Sequence, residues 1–473
     1  MSEIGDFSTP SSPSAGPSSY TCPDELYSIP RSIHLARIAA FYSKCRDCPH
    51  RSDHGHLALD ANQIPRPTDG QPGDAVRRPV VRTSLLTDES VRGVYLNELT
   101  RNRAIAWGES LAALLWDQQP LVAQGFPATE TRISDESTPH QEKIPFRGPQ
   151  VVVGFDERPS SPDIVTGVVL GLRRMGCPVI DVGQTSLTIL SFHLQATAAR
   201  AGLFVTGAGC DVSMTGFELL ARDGLPFSHA DLTFMESVVS TGVGRQTRQI
   251  GGHFPVQCQS DYVSSLAGHF HALRPLRVVC GSPLRQTHRI LKQIFARLPC
   301  ELTMLSLPTR KRDLFDPQDT DLQRVAKTVV EGGHHLGLVI DEDCQHCAFL
   351  TDQGDLVAVK EVARLLVEIA QRENSAALFV VATSLLPDAL KWLQGRDASV
   401  ADGGETISGL MQSLIDRQAT LALAGDGRVC FRSQYIACDA LVILANILKA
   451  LSLSDTPFSE VIDRISKADM NTM

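Results

Sequence analysis

The sequence has no long hydrophobic run. Its best apolar run, residues 441–448, is short and contains Asn446, whereas a helix that crosses a bilayer needs roughly 20 predominantly apolar residues. The N-terminus also lacks the basic region followed by an apolar region that marks a secretory signal peptide. These two absences predict a soluble, cytoplasmic protein without a membrane partner.

An excess of basic residues is missing as well. The chain carries 44 Lys and Arg residues against 53 Asp and Glu residues, which gives a formal net charge of −9. A general nucleic-acid binder shows a basic stripe, so nucleic acid is not expected as a partner. An acidic average does not exclude a local basic cleft, and a small anionic ligand stays compatible with this composition.

Regular cysteine spacing is the third absence. The twelve cysteines are scattered over 473 residues, which argues against a disulfide framework and, without an export signal, favours a reducing compartment. Most of them are expected to be small buried hydrophobic residues. Cys45 and Cys48 are an exception, because they form a C-x-x-C motif with His50, His54 and His56 close behind.

Composition divides the N-terminal part of the chain. Residues 1–30 are rich in Ser and Pro and are predicted to be disordered. Residues 31–56 are predicted to form a short helix followed by the Cys/His segment, and residues 57–82 a Pro- and Gly-containing linker. A polar insertion at about 118–148 separates a predicted helix from the next strand.

The rest of the chain alternates short apolar runs with helical patterns. The β-branched run VVVGF at residue 151 predicts a strand, and Ser161 as N-cap with Pro162 in the first turn predicts a helix that ends at Gly176. The apolar PVIDVG follows, and such a strand–helix–strand unit implies a parallel sheet. The plan recurs at 276–284 and at 377–386, which predicts three consecutive mixed α/β domains.

Ligands of open parallel sheets bind beyond the carboxyl ends of the strands, so the loops at these ends are the candidate sites. Four loops qualify: 154–162 with Asp156 and Arg158, 205–224 with two glycines flanking Ala208, 338–347 with an acidic run, and 422–431 with a Gly-Asp-Gly turn. Tight turns are the competing explanation for the first two loops, and a hairpin or a βα turn for the fourth.

The loop at 338–347 contains two kinds of metal ligand. Asp341, Glu342 and Asp343 have the carboxylates that hard cations prefer. Cys344, His346 and Cys347 follow at once, and thiolates and imidazoles favour zinc or softer metals. A solvated acidic turn is the alternative explanation.

The order of these loops resembles the α-D-phosphohexomutase superfamily, the phosphoglucomutases and phosphomannomutases, from about residue 82 to 465. GFDERPSSP is similar to the family's G-R-D-x-R-x-S segment, and VTGAGCDVSMTGFEL falls where the family has T-A-S-H-N-P followed by N-G-F-K. VIDEDCQH resembles D-G-D-x-D-R, and LAGDGRVCF falls where G-E-x-S-G-H binds the sugar. The resemblance implies domain I at 83–258, domain II at 259–355 and domain III at 356–465, with the fourth domain absent.

In this family a phosphoserine donates its phosphoryl group to a sugar phosphate beside a magnesium ion held by three aspartates. Arg92, Asp156 and Arg158 match the family pattern, but the phosphoserine position holds Ala208. The remaining departures also fall on the positions that carry chemistry: Gly209, Cys210, Glu218, Gln345 and His346 replace the family's His, Asn, Lys, third Asp and Arg. Asp341, Asp343, Gly425 and Asp426 are retained.

Three functions stay open, and whether the protein is an enzyme is one of the open points. The resemblance favours a protein of carbohydrate metabolism that has lost isomerase activity and acts as a sugar-phosphate-binding or scaffold protein, with Mg²⁺ binding weakened. A working mutase with a displaced nucleophile, Thr206 or Ser213, is the second.

The third function is a zinc or iron–sulfur site. Its expected ligands are Cys45, Cys48, Cys210, Cys344, His346 and Cys347. The identity of the ligand and the oligomeric state cannot be predicted from the sequence.

Overall fold

The computed structural model describes residues 19–23, 25–39, 42–51, 84–87, 89–118, 148–394, 396–432 and 435–470. The chain forms two compact units, residues 1–81 and 82–473. The predicted linker, nearly all of the predicted insertion, His54 and His56 lie outside the described residues. Within the described part, no helix is both long enough and apolar enough to span a bilayer.

The first unit contains a small hairpin and a helix. Its elements are β1 (Ser19–Thr21), β2 (Ser28–Pro30) and α1 (Arg31–Ala39). The two strands pair antiparallel, and Tyr20, Cys22 and Ile29 form a buried core. The segment predicted to be disordered, residues 1–30, thus contains the two strands of this hairpin from Ser19 onward. In each strand the middle side chain is buried and its two neighbours are exposed, so this short hairpin buries one face. The Ser- and Pro-rich composition gave no indication of this alternation.

The second unit begins with a sheet whose strand order is β3-β7-β6-β4-β5-β8. The strands are β3 (Ser90–Val94), β4 (Val151–Phe155), β5 (Val179–Gln184), β6 (Ala201–Val205), β7 (Met214–Ala221) and β8 (His253–Pro255). The helices of this part are α2 (Arg101–Asp117), α3 (Ser161–Arg174), α4 (Leu187–Ala196) and α5 (His229–Thr241). Strands β4, β5 and β6 run parallel, so the predicted strand–helix–strand unit is confirmed.

The start of α3 differs from the prediction. Ser161 is the first helical residue, and Ser160 holds the N-cap position without a capping side-chain hydrogen bond. The Ser161 hydroxyl instead donates to Asp156 Oδ1. The buried carboxylate of Asp156 holds the Ser161 hydroxyl through a charge-assisted hydrogen bond, so this side chain serves the loop after β4 and does not cap the helix.

The second sheet has the order β10-β9-β11-β12. Its strands are β9 (Arg277–Ser282), β10 (Glu301–Ser306), β11 (Leu336–Ile340) and β12 (Cys347–Leu350). The helices around it are α6 (Gln259–Ala267), α7 (Arg285–Phe295) and α8 (Thr320–Gly332). Strands β9, β10 and β11 are parallel and β12 is antiparallel, which confirms the repeated plan predicted at 276–284.

The third sheet has the order β14-β13-β15-β16-β17. Its strands are β13 (Leu378–Val381), β14 (Ser399–Asp402), β15 (Leu421–Leu423), β16 (Val429–Arg432) and β17 (Ile436–Cys438). The helices are α9 (Val359–Glu373), α10 (Leu386–Trp392), α11 (Ile407–Asp416), α12 (Ala440–Leu451) and α13 (Phe458–Met470).

The turn between β15 and β16 is a hairpin, because the two strands pair antiparallel. Cys430 and Cys438 lie opposite each other on β16 and β17 and are joined by a disulfide. The scattered spacing of the cysteines did not predict this pair. The domain borders given above stay predictions, although each of the three sheets lies within one of the predicted segments.

A buried carboxylate ties the second and third parts of this unit together. Asp439 is 1% exposed, and its Oδ1 accepts the N–H of Leu441 at 2.8 Å at the start of α12. Its Oδ2 accepts the hydroxyls of Tyr262 at 2.8 Å and Tyr435 at 2.7 Å. One side chain therefore caps a helix and satisfies two buried phenols.

Replacing this carboxylate should destabilise the second unit. Asp439→Ala removes the helix cap and leaves two buried hydroxyls without an acceptor, a loss of about 2–4 kcal/mol. The shift of the urea unfolding midpoint measures it. Asp463→Ala, at an exposed position on α13, is the matched control. An equal shift in both variants would contradict the role assigned to Asp439.

Candidate functional site

A cleft of about 630 Å³ opens beyond the carboxyl ends of the parallel strands of the second unit. The loop after β6 contributes Thr206, Ala208 and Gly209, and the loop after β11 contributes Asp341, Asp343, Gln345 and His346. The segment after β10 and the β15–β16 hairpin complete the wall. Three of the four loops selected from the sequence, 205–224, 338–347 and 422–431, thus meet in one place, as expected for loops at the carboxyl ends of parallel strands.

Asp156 fixes the loop that carries Ala208. It is 2% exposed, and its Oδ2 accepts the N–H of Gly207 at 3.1 Å while its Oδ1 accepts the N–H of Arg158 at 3.0 Å. Its role is therefore to shape the loop, since both of its oxygens are already occupied by the protein.

Arg158 holds the other side of the same loop. Its guanidinium donates to the backbone carbonyls of Cys210 and Asp211, both at 2.9 Å, and of Met214 at 3.2 Å. A Cβ at Gly207 would lie 2.5 Å from Arg158 Nη1, so only glycine fits there. Gly209 has a φ of +73°, which glycine adopts without strain. The loop is tightly held, and the side chain at its tip is a methyl group.

Arg158 also forms a buried ion pair with Glu342. Both side chains are 3% exposed, and Arg158 Nη2 lies 2.8 Å from Glu342 Oε2. The second oxygen, Oε1, is buried without a hydrogen-bond partner. Burial raises the pKa of Glu342 to about 7, although the neighbouring guanidinium opposes the shift. Glu342 therefore joins two loops instead of serving as the cation ligand that its sequence position suggested.

The two retained aspartates of the acidic loop are already paired with protein cations. Asp341 accepts a hydrogen bond from Arg312, which also bonds Asp321 at 3.2 Å. Burial raises the pKa of Asp341, and the nearby Asp343 adds to this effect.

Asp343 is paired with His346. Its Oδ1 accepts the backbone N–H of Gln345 at 2.8 Å and of His346 at 3.0 Å, and its Oδ2 faces His346 Nδ1. Burial opposes charge on the imidazole, but the Asp343 carboxylate prevails and raises the pKa of His346 to about 10. The histidine is therefore an imidazolium at neutral pH.

These contacts do not fit a magnesium ion. Mg²⁺ requires several free oxygen ligands, whereas both aspartates are engaged, the third family position is Gln345 and the serine position is Ala208. Among the described residues, no group of three or more His, Cys, Asp or Glu side chains is arranged to hold a metal.

The predicted zinc or iron–sulfur site is not assembled within the second unit. Cys344 is buried and contacts Thr287 Oγ1 at 3.2 Å, and burial raises the pKa of its thiol to about 12. Burial also raises the pKa of Cys347, which lies in β12. Such thiols resist the deprotonation that metal binding needs, and neither they nor Cys210 line the cleft.

Cys45 and Cys48 belong to the first unit, where the Cys48 N–H donates to the Cys45 carbonyl at 3.4 Å. Cys22 of the same unit accepts a hydrogen bond from Arg37 at 3.0 Å. A positive guanidinium at this sulfur is an unfavourable neighbour for a metal cation. The prediction that Cys45 and Cys48 complete a metal site stays without support.

The remaining candidates are distributed around the cleft. Arg92 is buried and paired with Glu218, which lines the cleft. Gly425 and Asp426 do not line it, and Asp426 is paired with Arg428 at 2.8 Å. Asp426 Oδ2 also lies 3.5 Å from His346 Nε2.

The sequence reading missed the basic run at residues 310–312 and Arg428, all of which line the cleft. Arg310 pairs with Asp319 at 2.7 Å and Asp321 at 2.8 Å. Lys311 forms no ion pair with any residue that the structure describes. The signal was present, because three consecutive basic residues follow β10 at the end of a parallel strand.

The buried Glu342 should make stability depend on pH. A carboxyl whose pKa is raised on folding contributes stability below its unfolded value of about 4.5, and this is lost as pH rises through about 7. Wild type should therefore lose up to about 1.4 kcal/mol per pH unit relative to Glu342→Gln between these values. Urea midpoints at pH values across this window measure the difference. Glu331→Gln, at an exposed position, is the control, and parallel pH profiles for wild type and Glu342→Gln would refute the assignment.

Comparisons with known proteins agree on one family. Residues 140–242 match the profile of the phosphoglucomutase/phosphomannomutase alpha/beta/alpha domain I. A probable phosphoglucosamine mutase from Methanothermobacter thermautotrophicus is 24% identical over 46% of this chain and 49% of its own length. A phosphoglucomutase/phosphomannomutase from Thermococcus kodakarensis is 22% identical over 67% of this chain and 72% of its own length. The chain thus spans between about half and three quarters of these relatives.

Solved structures show the same fold. A phosphoglucomutase/phosphomannomutase family protein from Burkholderia thailandensis superposes with a TM-score of 0.68 at 20% identity, covering 80% of this chain and 79% of the other. A phosphomannomutase-like structure from Thermus thermophilus gives a TM-score of 0.63 at 15% identity, covering 81% and 83%. Residues 140–242 thus match domain I of the phosphoglucomutases and phosphomannomutases, and the chain resembles the α-D-phosphohexomutase superfamily in sequence and in fold.

Proposed function

We propose that this protein binds a sugar phosphate, or a similar small phosphate-bearing anion, in the cleft and does not pass a phosphoryl group through residue 208. The observation that carries the proposal is Ala208 at the tip of the loop facing the cleft. A covalent phosphoryl intermediate needs a nucleophilic side-chain atom, and a methyl group has none. Because Asp156 and Arg158 hold the loop from both sides, a neighbouring residue cannot easily move into its place.

The ligand class is supported by the basic residues of the cleft. Lys311 has no ion pair among the described residues, and Arg310 and Arg428 also line the cleft. Lysine and arginine are the usual protein partners of phosphate. Phe315 lines the cleft beside them and is 41% exposed, so an apolar surface is available to a sugar ring. A sugar-phosphate ligand would be consistent with a role in carbohydrate metabolism.

A mutase with a displaced nucleophile is the second candidate. Thr206 favours it, because this residue lines the cleft two positions before Ala208. Its Oγ1, however, accepts the Ala208 N–H at 3.0 Å, and the residue is 2% exposed. Ser213 is exposed but does not line the cleft. Thr206 is therefore the better placed of the two alternative nucleophiles and the first to test.

The absence of a phosphorylated intermediate can be measured directly. After incubation with glucose 1,6-bisphosphate, the intact mass of the protein should stay unchanged, and a coupled assay should detect no glucose 6-phosphate formed from glucose 1-phosphate. A gain of one phosphate that disappears in Thr206→Val would instead support the displaced nucleophile. A gain that disappears only in Ser213→Ala would point to the exposed serine.

Binding of the ligand should depend on Lys311. Removing an unpaired ammonium that contacts a phosphate costs about 1–2 kcal/mol, so Lys311→Ala should weaken glucose 1-phosphate binding about ten-fold. Isothermal titration calorimetry measures the change. Lys292→Ala, at an exposed position on α7 that does not line the cleft, is the matched control. Equal affinities of wild type and Lys311→Ala would remove the lysine from the site.

A further inference from the structure

We infer that Arg312 and His346 take the place of a divalent cation in this cleft, so that a phosphate-bearing ligand binds without Mg²⁺. The inference rests on the proposed function for its ligand and on the pairing of Asp341 and Asp343 for its charge balance. It concerns the residues that replace the metal, and its test includes a metal-binding measurement that does not depend on any sugar phosphate.

Arg312 is built into the position that faces Asp341. Its side chain is fully shielded from solvent, and its guanidinium bonds Asp341, Asp321 and the carbonyl of Pro308. These partners come from the loop after β11, from α8 and from the segment after β10. A guanidinium cannot lose its charge in a protein, so Asp341 is permanently compensated.

His346 compensates the second carboxylate by geometry. Its Nδ1 faces Asp343 Oδ2, and its Nε2 lies 3.5 Å from Asp426 Oδ2. The imidazole ring thus lies between two carboxylates and occupies the Asp343 oxygen that a metal ion would need. The residue between them in the loop, Gln345, lines the cleft with an uncharged amide.

A divalent cation would have to break this arrangement. If a metal took Asp341, the buried guanidinium of Arg312 would lose one of its two carboxylates, and breaking a buried ion pair costs several kcal/mol. Asp343 is no easier to recruit, because two backbone N–H groups and an imidazole already occupy its oxygens. Neither aspartate of the loop is therefore free to bind a metal ion.

The same pairing explains how a phosphate could approach. Two uncompensated carboxylates would repel a phosphate at close range. With Arg312 and His346 in place, each of these two carboxylates has a partner in the protein. Lys311, which forms no ion pair with a described residue, lines the same cleft and is available to a phosphate.

Mn²⁺ serves as the probe for the first arm of the test, because electron paramagnetic resonance reports the free ion directly. Wild type should leave the Mn²⁺ signal unchanged at equimolar protein. In the second arm, calorimetry should give the same affinity for glucose 1-phosphate in EDTA and in excess Mg²⁺, within about two-fold.

Arg312→Gln frees Asp341 and should weaken metal-free binding of glucose 1-phosphate by about ten-fold or more, with part of the loss recovered in Mg²⁺. Arg324→Gln, at an exposed position on α8 that does not line the cleft, is the matched control. If Arg312→Gln does not fold, His346→Gln removes the partner of Asp343 instead, at a half-buried side chain. The affinity of this variant for glucose 1-phosphate should likewise rise when Mg²⁺ is added.

Stoichiometric Mn²⁺ binding by wild type, or a glucose 1-phosphate affinity that falls more than about ten-fold in EDTA, would overturn this inference. A wild type that binds neither Mn²⁺ nor glucose 1-phosphate would overturn the proposed ligand and leave the charge replacement supported. The two failures are therefore distinguishable.

Discussion

The buried side chain of Arg158 is the contact on which the geometry of the cleft depends. It donates to three backbone carbonyls of the loop after β6 and pairs with Glu342 in the loop after β11. These two loops follow strands of different sheets. One guanidinium therefore fixes the position of the loop after β6 relative to the loop after β11. Removing one partner of such a buried pair leaves an uncompensated charge, and the loop around Ala208 would then lose its shape.

Local patterns predicted the elements well because they depend on neighbours in the chain. The β-branched run at residue 151 and the glycine that ends α3 predicted a parallel strand–helix–strand unit, and β4, β5 and β6 form it. The N-cap was wrong by one residue because the hydroxyl of Ser161 bonds Asp156 instead of the helix end. The hairpin of the first unit was missed because its three core residues are spread through a polar segment.

The candidate site was only partly predictable. The loop positions of Ala208, Asp341 and Asp343 followed from the order of strands, but their partners did not. Arg312 lies 29 positions before Asp341, and no local pattern links the two. Glu342 was read as a possible cation ligand, yet its partner is Arg158, 184 positions away. Charge pairing between distant segments depends on the packing of sheets, which periodicity does not report.

The charged side chains that depart from the family pattern have partners within the protein. Glu218 pairs with Arg92 and His346 pairs with Asp343, while the retained Asp341 pairs with Arg312. Of the charged side chains that line the cleft, all within the described residues, none has a buried atom without a hydrogen-bond partner. Unselected loss of a catalytic site would leave buried charges without partners, since each replacement would strike one member of a pair at a time. A closed network of charges around an open cleft is consistent with the proposed role, in which the cleft holds a phosphate-bearing ligand without transferring its phosphoryl group.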